Sequence, residues 1–74
     1  MTRLPRGLSY RRVMAALQKA GFHVRRQKGS HIILRRDNPF AQIVLPAHKS
    51  IDTGTLSAIL QSAGLTTDTF LELL

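Results

Sequence analysis

The imidazole of His31 stands between a short basic segment and an apolar stretch of this sequence. Lys28-Gly29-Ser30 precedes it and Ile32-Ile33-Leu34 follows it. Histidines titrate near pH 6.5 in model peptides, so an imidazole can give or take a proton near neutral pH. Such general acid–base help is typically worth about 10²- to 10⁴-fold in rate. His31 is therefore the first candidate catalytic residue, although a lone histidine at a strand start more often belongs to a turn or a surface.

The cations around His31 suit a phosphate group. They could stabilise negative charge on a crowded phosphate transition state. RNA carries its own nucleophile, the 2′-hydroxyl, so an enzyme that cuts it need only move protons and neutralise the phosphate. Ser30 is included as a candidate phosphate ligand, although its simplest role is to satisfy the backbone of a turn. The candidate phosphate-binding residues are Lys28, Arg25, Arg26, Arg35 and Ser30.

Other chemistries lack the residues they need. The three histidines do not pair at helical spacing, and the chain has no cysteine, so a zinc site has little support. The four acids are scattered, which argues against a two-metal nuclease centre. No glycine-rich loop precedes a helix to hold a nucleotide. We therefore expect neither a metal nor a cofactor. A second proton-transfer group is left open among His48, Ser30 and solvent.

Charge is distributed very unevenly along the chain. Residues 1–36 carry ten of the eleven Lys and Arg residues and no acid, whereas residues 37–74 hold one Lys and all four acids. A block of this kind attracts polyanions such as nucleic acid, an anionic membrane surface or an acidic protein. No apolar run approaches the roughly 20 residues needed to span a bilayer, and no secretory signal is evident. We therefore expect a soluble cytoplasmic protein without a membrane partner.

The periodicity of the chain predicts the elements that position His31. Ser9 is a good N-cap for a helix over residues 9–20. Phe22 to Arg26 alternates as a half-buried strand, with Phe22 and Val24 directed to the core. A turn over 27–29 leads to a strand over 30–36, and a third strand covers 41–45. Thr53 is expected to cap a second helix, and Thr66 or Thr67 opens a short final one.

The faces of the second predicted strand are ambiguous. His31, Ile33 and Arg35 share one face, while Ile32 and Leu34 share the other. Both faces carry an isoleucine, so alternation alone does not decide which one meets solvent. A bulge near Gly29 is a further way in which His31 could be re-aimed.

Short connections between the strands indicate an antiparallel meander. Both main helices must pack on one face of it, because no other apolar surface is large enough to receive them. The predicted fold is α+β, in the order α-β-β-β-α with a short C-terminal helical turn, which is the arrangement of the double-stranded-RNA-binding domain. We expect a single domain over residues 1–74, in which residues 1–8 form a flexible or docked basic arm.

The motifs of the chain resemble those of HicA-type toxins, which are small mRNA interferases of toxin–antitoxin pairs. Gln27-Lys28-Gly29-Ser30-His31 before an apolar strand resembles the glycine-serine-histidine signature of the family. Val44-Leu45-Pro46-Ala47-His48 is similar to the end of its third strand. The segment from Gly54-Thr55-Leu56 to Ala63-Gly64-Leu65 resembles its second helix. The resemblance covers residues 9–71.

The resemblance implies metal-independent cleavage of messenger RNA, with His31 as the catalytic residue. It also implies a HicB-type antitoxin that covers the active site. The oligomeric state of the free toxin stays open, and a monomer is one possibility. A different hypothesis, based on fold and charge, is a non-catalytic RNA-binding module. RNA binding by such a module would weaken steeply with salt and would not depend on His31.

Overall fold

The chain folds into a three-stranded antiparallel sheet with one open face and one face covered by helices. The computed structural model describes residues 3–74. The elements are α1 (Tyr10–Lys19), β1 (His23–Lys28), β2 (His31–Asp37), β3 (Phe40–Pro46), α2 (Thr53–Ala63) and α3 (Thr67–Leu73). The strand order is β1-β2-β3. This order confirms the predicted α-β-β-β-α arrangement with a C-terminal helical turn.

Local signals account for the bounds of the helices. The Ser9 hydroxyl accepts a hydrogen bond from the Arg12 N–H at 3.3 Å, as an N-cap does. At α2 the N-cap is Asp52 rather than Thr53, so that prediction is wrong by one residue. A carboxylate can accept from the first turn more effectively than a threonine hydroxyl. Bonds donated by the Thr55 hydroxyl and then the Thr55 N–H lower the pKa of Asp52.

The covered face of the sheet is apolar and contributes to one core. Ile32 and Leu34 of β2 are buried beside Leu45 and Ile43 of β3, which lie directly opposite them. The helices cover this face with side chains that repeat at helical spacing. Those helical core residues are Val13, Ala16, Leu17, Leu56, Ile59, Leu60, Ala63 and Phe70.

The expectation that Val24 points into the core is wrong, since its side chain is 42% exposed. Val24 does face the covered side, because it lies opposite the fully buried Leu34. However, α1 and α2 pack mainly over β3, and β1 packs against β2 at the edge of the sheet. All six β1 residues are exposed for this reason. Phe22, immediately before the strand, is buried as predicted.

Arg36 belongs to the basic half of the chain, but its side chain makes contacts that stabilise the fold. It lies on the covered side of β2, where its Nη2 donates to the Ala63 carbonyl at 3.1 Å and its Nε donates to the Pro39 carbonyl at 2.9 Å. Its guanidinium also lies over the Phe22 ring, 4.7 Å from the centroid. Arg36 therefore ties β2 to the C-terminal end of α2, where a cation is favoured.

The N-terminal arm contacts the rest of the fold from Arg3 onward. Leu8 is buried and forms an antiparallel bridge with Ile51, and Leu4 packs against the core. The Tyr10 N–H donates to the His48 carbonyl at 3.0 Å. The segment from Pro46 to α2 is thereby held between the arm and the sheet. Met1 and Thr2, also part of the predicted arm, lie outside the described residues.

Candidate functional site

The open face of the sheet carries His31. In β2, Ile32 and Leu34 are buried, so the residues between them and on either side face outward. His31 is exposed, at the first position of the strand. The structure thereby decides between the two faces that the sequence left equivalent: His31, Ile33 and Arg35 occupy the open one.

Lys28 lies directly opposite His31 across the hairpin between β1 and β2. Only Gly29 and Ser30 separate them, so β1 extends through Lys28 and the turn is shorter and later than the predicted 27–29. Gly29 has a φ of +60°, which suits the first central position of a type II′ hairpin turn. Side chains directly opposite one another have Cβ atoms about 5 Å apart. An ammonium and an imidazole therefore share one small area of surface.

A β-bulge brings the two consecutive arginines of β1 to the same cavity. The pairing register shifts between Val24 and Arg26, so Arg25 is the extra residue and Arg26 lies opposite Ile33. Successive strand residues normally point to opposite faces, but a bulge removes this alternation locally. Arg25, Arg26, Ile33, Arg35 and Gln42 line a shallow cavity of about 200 Å³. A bulge was predicted near Gly29, whereas the observed one lies four positions earlier, at Arg25, and leaves the Lys28–His31 pair regular.

Asp37 forms the acidic end of the open face. Its Oδ1 lies 3.0 Å from Arg35 Nε and its Oδ2 lies 3.3 Å from His23 Nε2. The sequence gives no indication that His23 and Asp37 lie together. The signal was not available locally, because His23 and Asp37 meet only when β1 and β2 pair in the bulged register.

His48 lies on the segment after β3, close in the fold to the turn before His31. The Ala47 N–H donates to the Ser30 carbonyl at 2.7 Å, and the His48 N–H donates back to the Pro46 carbonyl at 2.9 Å. These bonds fix the backbone next to Ser30. The His48 side chain is exposed. The structure thus places the backbone of the His48 segment beside the turn that holds Ser30 and precedes His31, although the two segments are distant in sequence.

The basic candidates named from the sequence divide into two groups on this face. Lys28 lies beside His31, and the three arginines lie farther along the sheet around the cavity. A larger cavity of about 500 Å³ lies elsewhere, between the arm and the starts of α2 and α3. Its lining includes Arg3, Arg6 and Thr53 but no histidine or carboxylate. Proton transfer is therefore better served by the open sheet face.

A comparison with protein families adds an independent observation to this geometry. The family model described as "HicA toxin of bacterial toxin-antitoxin" matches residues 10–65 of the 74. The match runs from the start of α1 through the whole sheet to just past α2, and it includes His31 and the cavity residues. The chain belongs to the HicA toxin family.

Membership of the HicA family makes the protein a toxin with a partner antitoxin in general terms. The observed sheet-and-helix arrangement is the fold that the resemblance implied. No curated protein sequence matches the chain closely enough to add a relative. Within residues 3–74, none of the helices is both long and apolar enough to cross a membrane.

Proposed function

We propose that this HicA-family toxin is an endoribonuclease that cleaves messenger RNA without a metal ion, in the cytoplasm. The observation that carries the proposal is the pairing of His31 with Lys28 on the open face of the sheet. The RNA 2′-hydroxyl attacks the adjacent phosphorus, and the 5′-oxygen of the next nucleotide leaves. His31 transfers a proton as general base or general acid in this step.

Lys28 is proposed to neutralise charge on the scissile phosphate. It is exposed and lies opposite His31, so both groups can contact one phosphate. The ammonium stabilises the extra negative charge that develops when the 2′-oxygen attacks. Ser30 is proposed to contribute to the same phosphate from the turn. Arg25, Arg26 and Arg35 are proposed to hold the RNA backbone beyond it.

Cleavage removes a proton from the 2′-oxygen and adds one to the 5′-oxygen. A second proton-transfer group is needed if the protein assists both steps. His48 is the proposed candidate, because its segment is bonded to Ser30 through Ala47. An imidazole there can protonate the leaving 5′-oxygen while His31 takes the proton of the 2′-hydroxyl. His48→Ala is then expected to slow cleavage less than His31→Ala, since solvent can replace a proton donor in part.

The proposed partner is a HicB-type antitoxin that covers the open face. The basic half of the chain suits an acidic surface, and masking Lys28 and His31 together would block the site. The antitoxin and RNA would contact the same cations on this face. Inhibition by simple competition follows from that overlap.

The test is RNA degradation by the wild type and by His31→Ala in the presence of a chelator. We expect the wild type to cut with EDTA present and the variant to lose about 10²- to 10⁴-fold in rate. Equal cutting by the variant, or loss of cutting with chelator, contradicts the proposal. If neither protein cuts but both retain RNA, the chain is the non-catalytic RNA-binding module instead.

A further inference from the structure

The arginine-lined cavity of the open face is separate from the His31 position. Arg26 and Ile33 form the next cross-strand pair on this face after Lys28 and His31, and Arg35 with Gln42 is the pair after that on β2 and β3. With a rise of about 3.3 Å per strand residue, these pairs lie roughly 7 and 13 Å from His31 along β2. An anion bound in the cavity is therefore a different group from the phosphate on which His31 acts.

The cavity has an excess of positive charge. Three guanidinium groups line it and no carboxylate does. Because of the bulge, two of the three come from consecutive residues, Arg25 and Arg26, which a regular strand would send to opposite faces. Guanidinium groups match phosphate oxygens in a planar, bidentate geometry.

Arg35 is held in place at the edge of the cavity. Its side chain is 30% exposed, and its Nε lies 3.0 Å from Asp37 Oδ1. That Nε is buried and has no hydrogen-bond partner among the described residues, so its contact with Asp37 is an ion pair only. The carboxylate of Asp37 also faces His23 Nε2 at 3.3 Å. One carboxylate shared in this way orients Arg35 but does not neutralise the cavity.

Apolar and amide groups adjoin the cations. Ile33 lies inside the cavity, and Val44, directly opposite it on β3, is 51% exposed. The Gln42 amide offers both donors and an acceptor, which the edge of a base can use. Phe40 is 67% exposed on the same face, opposite Asp37. Exposed aromatic and apolar side chains beside cations are the pattern of surfaces that bind single strands.

We infer that this cavity is a second nucleotide subsite for the RNA strand that is cleaved at His31. It binds the phosphate of a flanking nucleotide through Arg25, Arg26 and Arg35, and it receives the base on Ile33 and Val44 with the Gln42 amide at its edge. The inference rests on the proposed function. It adds that the substrate is read over several nucleotides of one single strand, across the sheet.

A duplex fits this subsite poorly. Bases in a duplex are stacked inside, and recognition of double-stranded RNA by this type of fold spans about 16 base pairs through shape and backbone contacts. The open face is only a three-stranded sheet whose β2 has seven residues, so its length is roughly 23 Å. A splayed single strand can place a base and its phosphate in the cavity together.

The experiment measures binding, not cleavage, of fluorescent 2′-O-methyl RNA oligonucleotides to the full-length His31→Ala chain. These oligonucleotides lack the 2′-hydroxyl nucleophile. We expect the affinity to rise about tenfold when a dinucleotide is extended to a tetranucleotide. Arg35→Gln and Gln42→Ala are each expected to remove most of this gain. Arg12→Gln, an equal loss of charge on the exposed side of α1, should leave it intact.

Several results would overturn the subsite. The affinity could show no dependence on length, or Arg12→Gln could remove as much of the gain as Arg35→Gln, which indicates general electrostatic attraction only. A hexaglutamate peptide is the probe for an acidic protein. If Arg35→Gln weakens binding of that peptide but not of the oligonucleotides, the cavity serves a protein interface instead. Gln42→Ala removes no ion pair, so it keeps the test valid if Arg35→Gln unfolds.

The subsite and the proposed function fail in different ways. Length-dependent binding that needs Arg35 and Gln42, without any cleavage by the wild type, retains the subsite and rejects the enzyme. His31-dependent cleavage with binding that ignores length retains the enzyme and rejects the subsite.

Discussion

Lys28 and His31 lie directly opposite each other across the first hairpin, on the open face of the sheet. The two residues are the last of β1 and the first of β2. Their relative position is fixed by a two-residue turn, the commonest kind of connection in β-hairpins. The proposed proton-transfer group and the proposed phosphate ligand are thus positioned by backbone pairing and not by flexible loops.

Lys28→Ala should lower the rate of RNA cleavage by about 10²-fold, because a positioned charge at the reacting phosphate is lost. Lys28→Arg should restore part of the rate, since it keeps the charge. Single-turnover cleavage of a defined RNA measures both. The His31→Ala variant sets the floor. If Lys28→Ala and Lys28→Arg cut equally well, charge at this position does not act on the phosphate.

Arg26→Gln should reduce the salt dependence of RNA binding. One phosphate contact contributes about 0.7 to the slope of log affinity against log salt for a single strand, so the slope should fall by about that amount. Fluorescence anisotropy over a series of salt concentrations gives the slope. Lys19→Gln, in the last turn of α1, is the matched control and should leave the slope unchanged. An equal change in both variants places the RNA elsewhere.

Gly29→Ala should destabilise the protein by about 1–2 kcal/mol, because an L side chain strains the positive φ of this turn. No atom lies within 4 Å of the position a Cβ would take, so the cost comes from the backbone and not from a clash. Gly29→Asn should cost less, since asparagine tolerates positive φ. Urea unfolding compares the two. Equal stability of both variants would mean that the turn adopts another conformation.

Arg36→Met should destabilise the fold by about 2 kcal/mol, because the part-buried Ala63 carbonyl loses a charged donor. The cleavage rate per folded molecule should stay near that of the wild type, since Arg36 lies on the covered side of the sheet. Urea unfolding and active-fraction kinetics separate the two effects. Arg12→Met, on exposed α1, serves as the control and should change stability by no more than about 0.5 kcal/mol. A large loss of rate with stability intact contradicts the structural role.

Acid should weaken the N-cap of α2. The folded pKa of Asp52 is lowered from 3.8 by the bonds from Thr55, so the folded state binds this proton less readily than the unfolded state does. The stabilisation is therefore complete above the unfolded value and is lost as pH falls through the folded pKa. Asp52→Asn keeps an N-cap but removes the titration. Urea midpoints between pH 6 and pH 2.5 should fall less steeply for this variant; parallel curves would exclude Asp52 as a contributor.

The order of the elements was predictable because it depends on local patterns. Periodicity and capping residues identified the helices α1 and α2, and alternation with turn residues identified three strands. Gly64 at the end of α2 and Ser9 at the start of α1 behaved as their types predict. The errors were local as well: Thr53 was taken for the cap that Asp52 provides. Val24 was assigned to the core because its strand alternates, whereas burial also requires a helix to cover that strand.

The sequence by itself determined that His31 and a basic segment lie at a strand start, and its motifs indicated the family. Only the tertiary structure decided which side of β2 is open, because Ile32 and Ile33 are equivalent until helices cover one of them. It also decided the bulge at Arg25, which sends Arg25 and Arg26 to one cavity. The contact of Asp37 with His23 on β1 depends on the same register. Strand register is set by the partner strand and the covering helices, and neither is encoded within the six or seven residues of the strand itself.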